Sequence, residues 1–371
     1  MWITIGVIIV IIAIAYLALN YYPPLGGKAS PESIRRMEES QNRSKGKFLN
    51  EIPTDMGMSM RESGKVLIDF VKGNPKGKPR TPIPIVRLTA EQLQSDGRHA
   101  KVTWFGHSAV LVRLDGKTIF IDPMLGRTPS PVPIFGGKRY SRQLPIEIDD
   151  LPAIDAVILS HDHYDHLDYG TIRKLKHKVK RFVVPLGVAG HLKRWGVEPG
   201  KITEHGWWEE FEFEGLKLAT APARHFSGRS IGDRNFSLWC SWVIMGKQAK
   251  IFFSGDSGYG PHFAQIGEKY GPFDLTFMEC GQYDKRWSAI HMLPEETVQA
   301  HIDVKGNVLI PIHWGAFTLA LHDWTDPIER ASKAAKERDV ALATPRIGEV
   351  VSIGAPDRPS DAWWRNAINQ S

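Results

Sequence analysis

The sequence predicts an α/β sandwich, two β-sheets face to face with helices on the outside. Three observations predict it. Two hairpin-like units occur, one over residues 102–122 and one over 239–256, each closing on an aspartate. Between and after them, helix-length segments alternate with short apolar runs, the pattern of layered α/β domains. One of those runs empties directly into a loop dense in imidazole and carboxylate groups, His161 to Asp168.

From Trp2 to Tyr22 the chain carries no charged side chain, and Ile3–Leu19 is almost all Ile, Val, Ala and Leu. That is close to the ~20 residues needed to cross hydrocarbon. Trp2, Tyr16, Tyr21 and Tyr22 stand where interfacial aromatics belong. A cleaved signal would begin with basic residues and end at a small-x-small site. No Lys or Arg precedes this run, so an uncleaved transmembrane anchor is expected over residues 1–22. Lys28, Arg35, Arg36, Arg43, Lys45 and Lys47 follow it. The positive-inside rule then puts the rest of the chain in the cytoplasm, with a periplasmic placement as the alternative. Residues 23–100, interrupted by Pro75, Pro79, Pro82 and Pro84, read as a linker and N-terminal arm, and residues 101–371 as the catalytic domain.

Within that domain Val102–Leu114 alternates, Asp115-Gly116 turns the chain, and Thr118–Asp122 returns it. Trp239–Met245, a Gly246-Lys247 turn and Lys250–Asp256 repeat the arrangement. Helices are expected over Tyr169–Lys176, Val188–Trp195, Pro261–Lys269, Pro294–His301 and Pro327–Arg338. Further strands are expected over Ala156–Ser160, Phe182–Pro185, Leu275–Glu279 and Val308–Ile312.

Composition narrows the function. Lys+Arg 47 against Asp+Glu 41 gives +6, which suits anionic lipid headgroups as well as nucleic acid. No zinc-finger spacing, Arg-rich repeat or RNA-binding aromatic signature accompanies the charge, so no nucleic-acid partner is expected. Two cysteines, Cys240 and Cys280, are too few for a disulfide framework and read as core thiols, with a bridge between them left open.

The chemistry concentrates after Ala156–Ser160, where His161, Asp162, His163, Asp165 and His166 crowd into a few positions. A turn at a strand end can aim alternate side chains at one point and the rest at its neighbour, which is what two adjacent metals require. His and carboxylate ligands suit zinc, with iron or manganese as substitutes.

Here the sequence resembles the metallo-β-lactamase superfamily, whose His-x-His-x-Asp-His signature is matched by His161, His163, Asp165 and His166. The resemblance implies an αββα sandwich and further ligands at later strand ends. His225, Asp256 and His313 fit, each following an apolar run. By that analogy His161, His163 and His225 hold one zinc, Asp165, His166 and His313 hold the second, and Asp256 bridges. Segments Trp207–Glu210, Leu238–Trp242, Gly255–Tyr259, His291–Glu296 and His313–Phe317 further resemble the N-acylphosphatidylethanolamine-hydrolysing phospholipase D family.

That family implies release of phosphatidic acid and an N-acylethanolamine from a membrane phospholipid at the lipid bilayer, with two Zn2+ as cofactor. The catalytic expectations are Asp165, Asp256 and His291, with His291 near substrate as proton donor and Asp162 as an orienting group. His107, within the first strand, is expected to be structural. Mammalian members carry a Gln-Tyr pair for amide recognition where this chain reads Pro133-Ile134, so related glycerophosphodiesters join the expected substrates. Residues 124–144 around that pair are a candidate lid, with Ile134, Phe135, Lys138, Arg139 and Arg142 toward lipid and headgroup. The rival readings are a lactonase or other small-ester hydrolase of the same fold and a membrane sensor with a structural zinc site.

Overall fold

The protein is described from a computed structural model that covers residues 2–54, 59–93, 99–134 and 136–369. Before the domain come helices α1 (Trp2–Tyr21) and α2 (Pro31–Glu38), the short pair β1 (Arg43–Ser44) and β2 (Lys47–Phe48), and α3 (Met60–Lys72). The first half of the domain is β3 (Lys101–Trp104), β4 (Val110–Leu114), β5 (Lys117–Ile121), β6 (Ile154–Ile158), α4 (Tyr169–Leu175), β7 (Val179–Pro185), α5 (Ala189–Arg194) and β8 (Ile202–His205). The second opens with β9 (Glu210–Phe213), β10 (Leu216–Ala221), β11 (Ser241–Met245), β12 (Lys250–Phe253), α6 (His262–Tyr270) and β13 (Phe273–Glu279). It continues with α7 (Pro294–Asp303), β14 (Gly306–Ile312), α8 (Asp326–Glu337), β15 (Ala341–Leu342), β16 (Val350–Ser352) and α9 (Trp363–Asn369).

Among the described residues, two seven-stranded sheets form, in the orders β16-β3-β4-β5-β6-β7-β8 and β15-β14-β13-β12-β11-β10-β9. In each, an antiparallel hairpin hands over to parallel strands. β4 pairs antiparallel with β5, which pairs parallel with β6. β11 and β12 repeat this with β13. Asp115 and Gly116 both take positive φ, 50° and 77°, the geometry of the tight hairpin turn that an Asp-Gly pair favours.

Alternation builds the layers, because successive strand side chains point to opposite faces. Val112, Ile119, Ile121 and Ile158 of one sheet meet Leu218, Trp242, Phe253 and Phe277 of the other in the inner core. The intervening Phe120, Val157 and Phe182 pack outward with Ile172 and Leu192 of α4 and α5. Val243 and Phe252 do the same with Phe263 and Val298 of α6 and α7. The expected αββα sandwich is thus the observed one, and Cys240 and Cys280 are free, buried thiols within it.

Two expectations change. The arm contains helices and packs onto the domain: Met37 and Phe48 join Leu186, Leu238 and Trp239 in one cluster. The transmembrane span over residues 1–22 is not supported, since among the described residues no helix is long and apolar enough to cross a membrane. What stands there is α1, whose apolar residues Ile5, Val7, Ile9 and Leu17 are exposed rather than covered by the domain.

Trp242 ties the inner core to the site, because its Nε1 donates to the carbonyl of Leu159, 2.9 Å away, at the end of β6. Trp242→Ala should cost ~3–5 kcal/mol of stability through the cavity it leaves. Chemical denaturation followed by fluorescence checks this, and an unchanged midpoint would contradict it.

Candidate metal centre

Every sequence-predicted ligand leaves the carboxyl end of a strand or the loop just beyond. β6 runs into Ser160 and the His161–His166 loop, β10 leads to His225, β12 to Asp256, and β14 to His313. Gly255 is required before Asp256: its φ is 59°, and a Cβ there would lie 2.7 Å from the Cys240 carbonyl. His107, Asp122 and His313 are non-glycine residues at φ 55°, 41° and 66°. Such backbone conformations persist only where the surroundings hold them, and they gather at functional sites.

The donor atoms fall into two groups. In the first, His161 Nε2 lies 2.9 Å from His163 Nδ1, which lies 3.2 Å from His225 Nε2. In the second, His166 Nε2 and His313 Nε2 lie 3.5 Å and 3.3 Å from Asp165 Oδ2. Asp256 Oδ2 stands between them, 3.8 Å and 3.7 Å from His161 and His225 and 3.1 Å and 3.2 Å from His166 and His313. The donor atoms of His161, His163, His225 and Asp256 thus form one compact set and those of Asp165, His166 and His313, joined by His107, a second, while Asp256, Glu279, His291 and His313 make a third that overlaps both.

Electrostatics separates the groups. Burial, reinforced by neighbouring imidazoles, pushes His161 and His225 well below the ordinary histidine range, so both offer lone pairs. His166 and His313 go the other way. Burial would lower them, but the facing carboxylates outweigh it, holding His166 well above its usual range and His313 up at about 10. Burial would raise Asp256, yet His166 and His313 keep it well below the carboxylate range. His166 Nε2 and Asp256 Oδ1 are nonetheless buried without a hydrogen-bond partner. Such groups are costly unless something satisfies them. A divalent cation in each group fits this donor set: neutral imidazoles and carboxylates, crowded and under-satisfied.

Other residues aim the ligands. Asp122 accepts from Ser160 N at 2.7 Å and from His166 Nδ1 at 2.8 Å, so Nε2 of His166 faces inward. His225 Nδ1 donates to the Ile290 carbonyl at 3.0 Å, and its backbone is clasped by Asn50 of the arm at 2.9 Å and 3.1 Å. Partners of this kind orient metal-binding histidines. His107 Nε2 sits 2.8 Å from Asp165 Oδ2, and burial pushes its pKa down to about 3. Its place beside Asp165 is closer to the centre than the sequence reading as a strand residue implied.

His291 lies beside the cluster, its ring stacked on His313 at 5.1 Å and edge-on to His225 at 5.0 Å. Its Nδ1 is held by Glu279 Oε2 at 2.8 Å. Sequence reasoning missed Glu279, a fully buried carboxylate at the end of β13 that also accepts from Met292 N at 2.8 Å. An acid closing the mostly apolar run Leu275–Met278 was the available signal. Asp162 points away from the centre, accepting from Gly228 N at 2.8 Å and Ser237 Oγ at 2.6 Å, so it braces the ligand loop rather than substrate.

Pro133 and Ile134 are exposed, and no hydrogen bond, ion pair or ring contact joins them to the cluster among the described residues. Arg139 is taken up inside the 124–144 loop, donating to the Gly126 and Phe105 carbonyls with its guanidinium 4.7 Å over Phe317. It is not presented to a headgroup, and Phe135 lies outside the described residues. A cavity of about 570 Å³ between the end of α1 and the 230–237 loop reaches Asp162 but none of the seven candidate ligands.

Residues 117–314 match the Beta-lactamase superfamily domain. The chain belongs to the metallo-β-lactamase superfamily. As a member it is a metal-dependent hydrolase. An uncharacterized protein of Mycobacterium tuberculosis is 40% identical over 343 residues, covering 91% of this chain and 91% of that one. The N-acyl-phosphatidylethanolamine-hydrolyzing phospholipase D 1 of Caenorhabditis elegans is 33% identical over 287 residues, 72% of this chain and 80% of that protein. An isothiocyanate hydrolase from Delia radicum gut bacteria superposes with a TM-score of 0.55 at 20% identity, over 68% of this chain and 99% of that one, which shows the shared fold.

A ligand histidine must be neutral to bind metal, whereas the facing carboxylates of Asp256 and Asp165 favour the protonated form of His166 and His313. Metal uptake at pH 7 should therefore release about two protons, and apparent affinity should fall as pH falls. Calorimetric titration in buffers of different ionisation enthalpy measures this, and uptake without proton release would contradict it. Asp256→Asn should lose metal by elemental analysis while keeping the wild-type circular dichroism spectrum.

Proposed function

We propose that this hydrolase is a zinc-dependent phosphodiesterase of phospholipase D type, acting on N-acylphosphatidylethanolamine-like glycerophospholipids. The observation that carries the reading is the pair of donor groups meeting at Asp256 Oδ2. It stands in a chain 33% identical to a relative named for that hydrolysis. Two metals side by side suit in-line displacement at phosphorus, because attacking and leaving oxygens both need charge stabilisation.

Bound in these groups, His161, His163 and His225 with Asp256 on one side and Asp165, His166 and His313 with Asp256 on the other, two zinc ions would supply Lewis-acid charge and acidify water. The protein's own groups do the rest. Asp165, steadied by His107, orients the attacking water, whose proton passes to solvent. The water oxygen bonds to phosphorus as the bond from phosphorus to the headgroup oxygen breaks. With both ring nitrogens protonated, His291 keeps its Nδ1–H in the hydrogen bond to Glu279 and delivers its Nε2 proton to the departing alkoxide, so that each bond broken is matched. No serine or cysteine nucleophile is needed, and both cysteines are buried away from such a role.

The products are phosphatidic acid and an N-acylethanolamine.

Hydrolysis of a defined phospholipid panel in water enriched in heavy oxygen tests the reading. Label should enter phosphatidic acid, with an unlabelled alcohol as its partner. Free fatty acid, diacylglycerol or turnover confined to a lactone panel would overturn it.

A further inference from the structure

Helix α3 lies in the arm, where the sequence alone suggested only linker. Ser59 and Glu62 close a reciprocal capping box at its start, with Ser59 Oγ 3.2 Å from Glu62 N and Glu62 Oε2 2.8 Å from Ser59 N. Gly73, at φ 65°, ends it. None of its residues is buried.

Its faces differ. Met60, Leu67, Ile68 and Val71 recur at the spacing of one helical stripe, and they are 94%, 66%, 53% and 81% exposed. Arg61, Lys65 and Lys72 recur along the flank beside that stripe, all exposed. Asp69, on the opposite side, pairs with Arg286 at 2.8 Å, and Phe70, at the edge of the stripe and 43% exposed, stacks on Trp287 at 6.4 Å. Trp287 begins the turn whose Ile290 carbonyl holds His225 and which runs on into His291. The solvent-facing stripe therefore belongs to a helix docked on the shoulder of the metal centre.

We infer that α3 is an interfacial helix that seats this shoulder on a lipid surface bearing anionic phospholipids. Charge complementarity selects that occupant. An apolar stripe flanked by cations matches acyl chains beneath phosphate headgroups. The acids on the helix are otherwise engaged, Glu62 at the cap and Asp69 with Arg286. Lys76, Lys78 and Arg80 continue the exposed positive run. The inference deepens the lipid reading of the site and rests on it.

A polarity-sensitive fluorophore on Leu67→Cys in the full chain tests the docking without turnover, because Cys240 and Cys280 are buried and will not compete for label. Adding phosphatidylglycerol–phosphatidylcholine vesicles should blue-shift its emission. The same label at Lys333→Cys on α8, where the side chain is 76% exposed, should stay in water. The double variant Leu67→Asp, Val71→Asp should lose at least about tenfold in kcat/KM on vesicle-embedded phospholipid and retain activity on a soluble short-chain phosphodiester. A Leu67 probe that stays aqueous while the enzyme cleaves lipid overturns the inference. A shift that appears without vesicles and grows with protein concentration overturns it in favour of a second copy. A vesicle-dependent shift without cleavage of any phospholipid supports the docking and defeats the proposed reaction instead.

Discussion

One buried carboxylate holds the account together. Asp256 Oδ2 is buried within 3.2 Å of His166 and His313 and within 3.8 Å of His161 and His225. Four imidazoles around an isolated, desolvated carboxylate are tolerable only if their charges and lone pairs are matched. The surrounding fold supplies that matching in layers. Asp122 and the Gly281 and Ile290 carbonyls take the outward Nδ1 of His166, His313 and His225, so the inward nitrogens converge. The seven-stranded sheets bring the ends of β6, β10, β12 and β14 to one rim, which is why the ligands can come from positions far apart in the chain.

The same arrangement explains why the arm belongs to the catalytic unit. Asn50 bonds both backbone polar groups of His225 and the indole of Trp239. Further along, α3 rests on the turn that leads to His291. A segment with no chemistry of its own thus braces one side of the centre.

Much of this was legible in the sequence, and the reason is local. His161 to His166 are contiguous, and Asp256 and His313 each end an apolar run, so strand periodicity and ligand chemistry coincide there. Both central hairpins were readable from their turns. What escaped was long-range or ambiguous. Glu279 reads as a polar strand terminus until its contact with His291, 12 residues on, is seen. Asn50 lies 175 residues from its partner. The hairpin of β9 and β10 carried an alternating Glu210–Phe213 and a Glu214-Gly215 turn, and α3 carried its Ser59-x-x-Glu62 cap, but neighbouring prolines and glycines obscured both. Pro133 and Ile134 were placed by resemblance rather than by any physical pattern, and the structure leaves them in solvent.

The central claim is that these side chains hold two metal ions sharing Asp256. Anomalous diffraction at the zinc edge, from crystals of the zinc-loaded protein, measures it directly. The account predicts two peaks ~3.5–4 Å apart, one among His161, His163 and His225 and the other among Asp165, His166 and His313. An empty map, or a single ion held by Asp256, Glu279, His291 and His313, would contradict it.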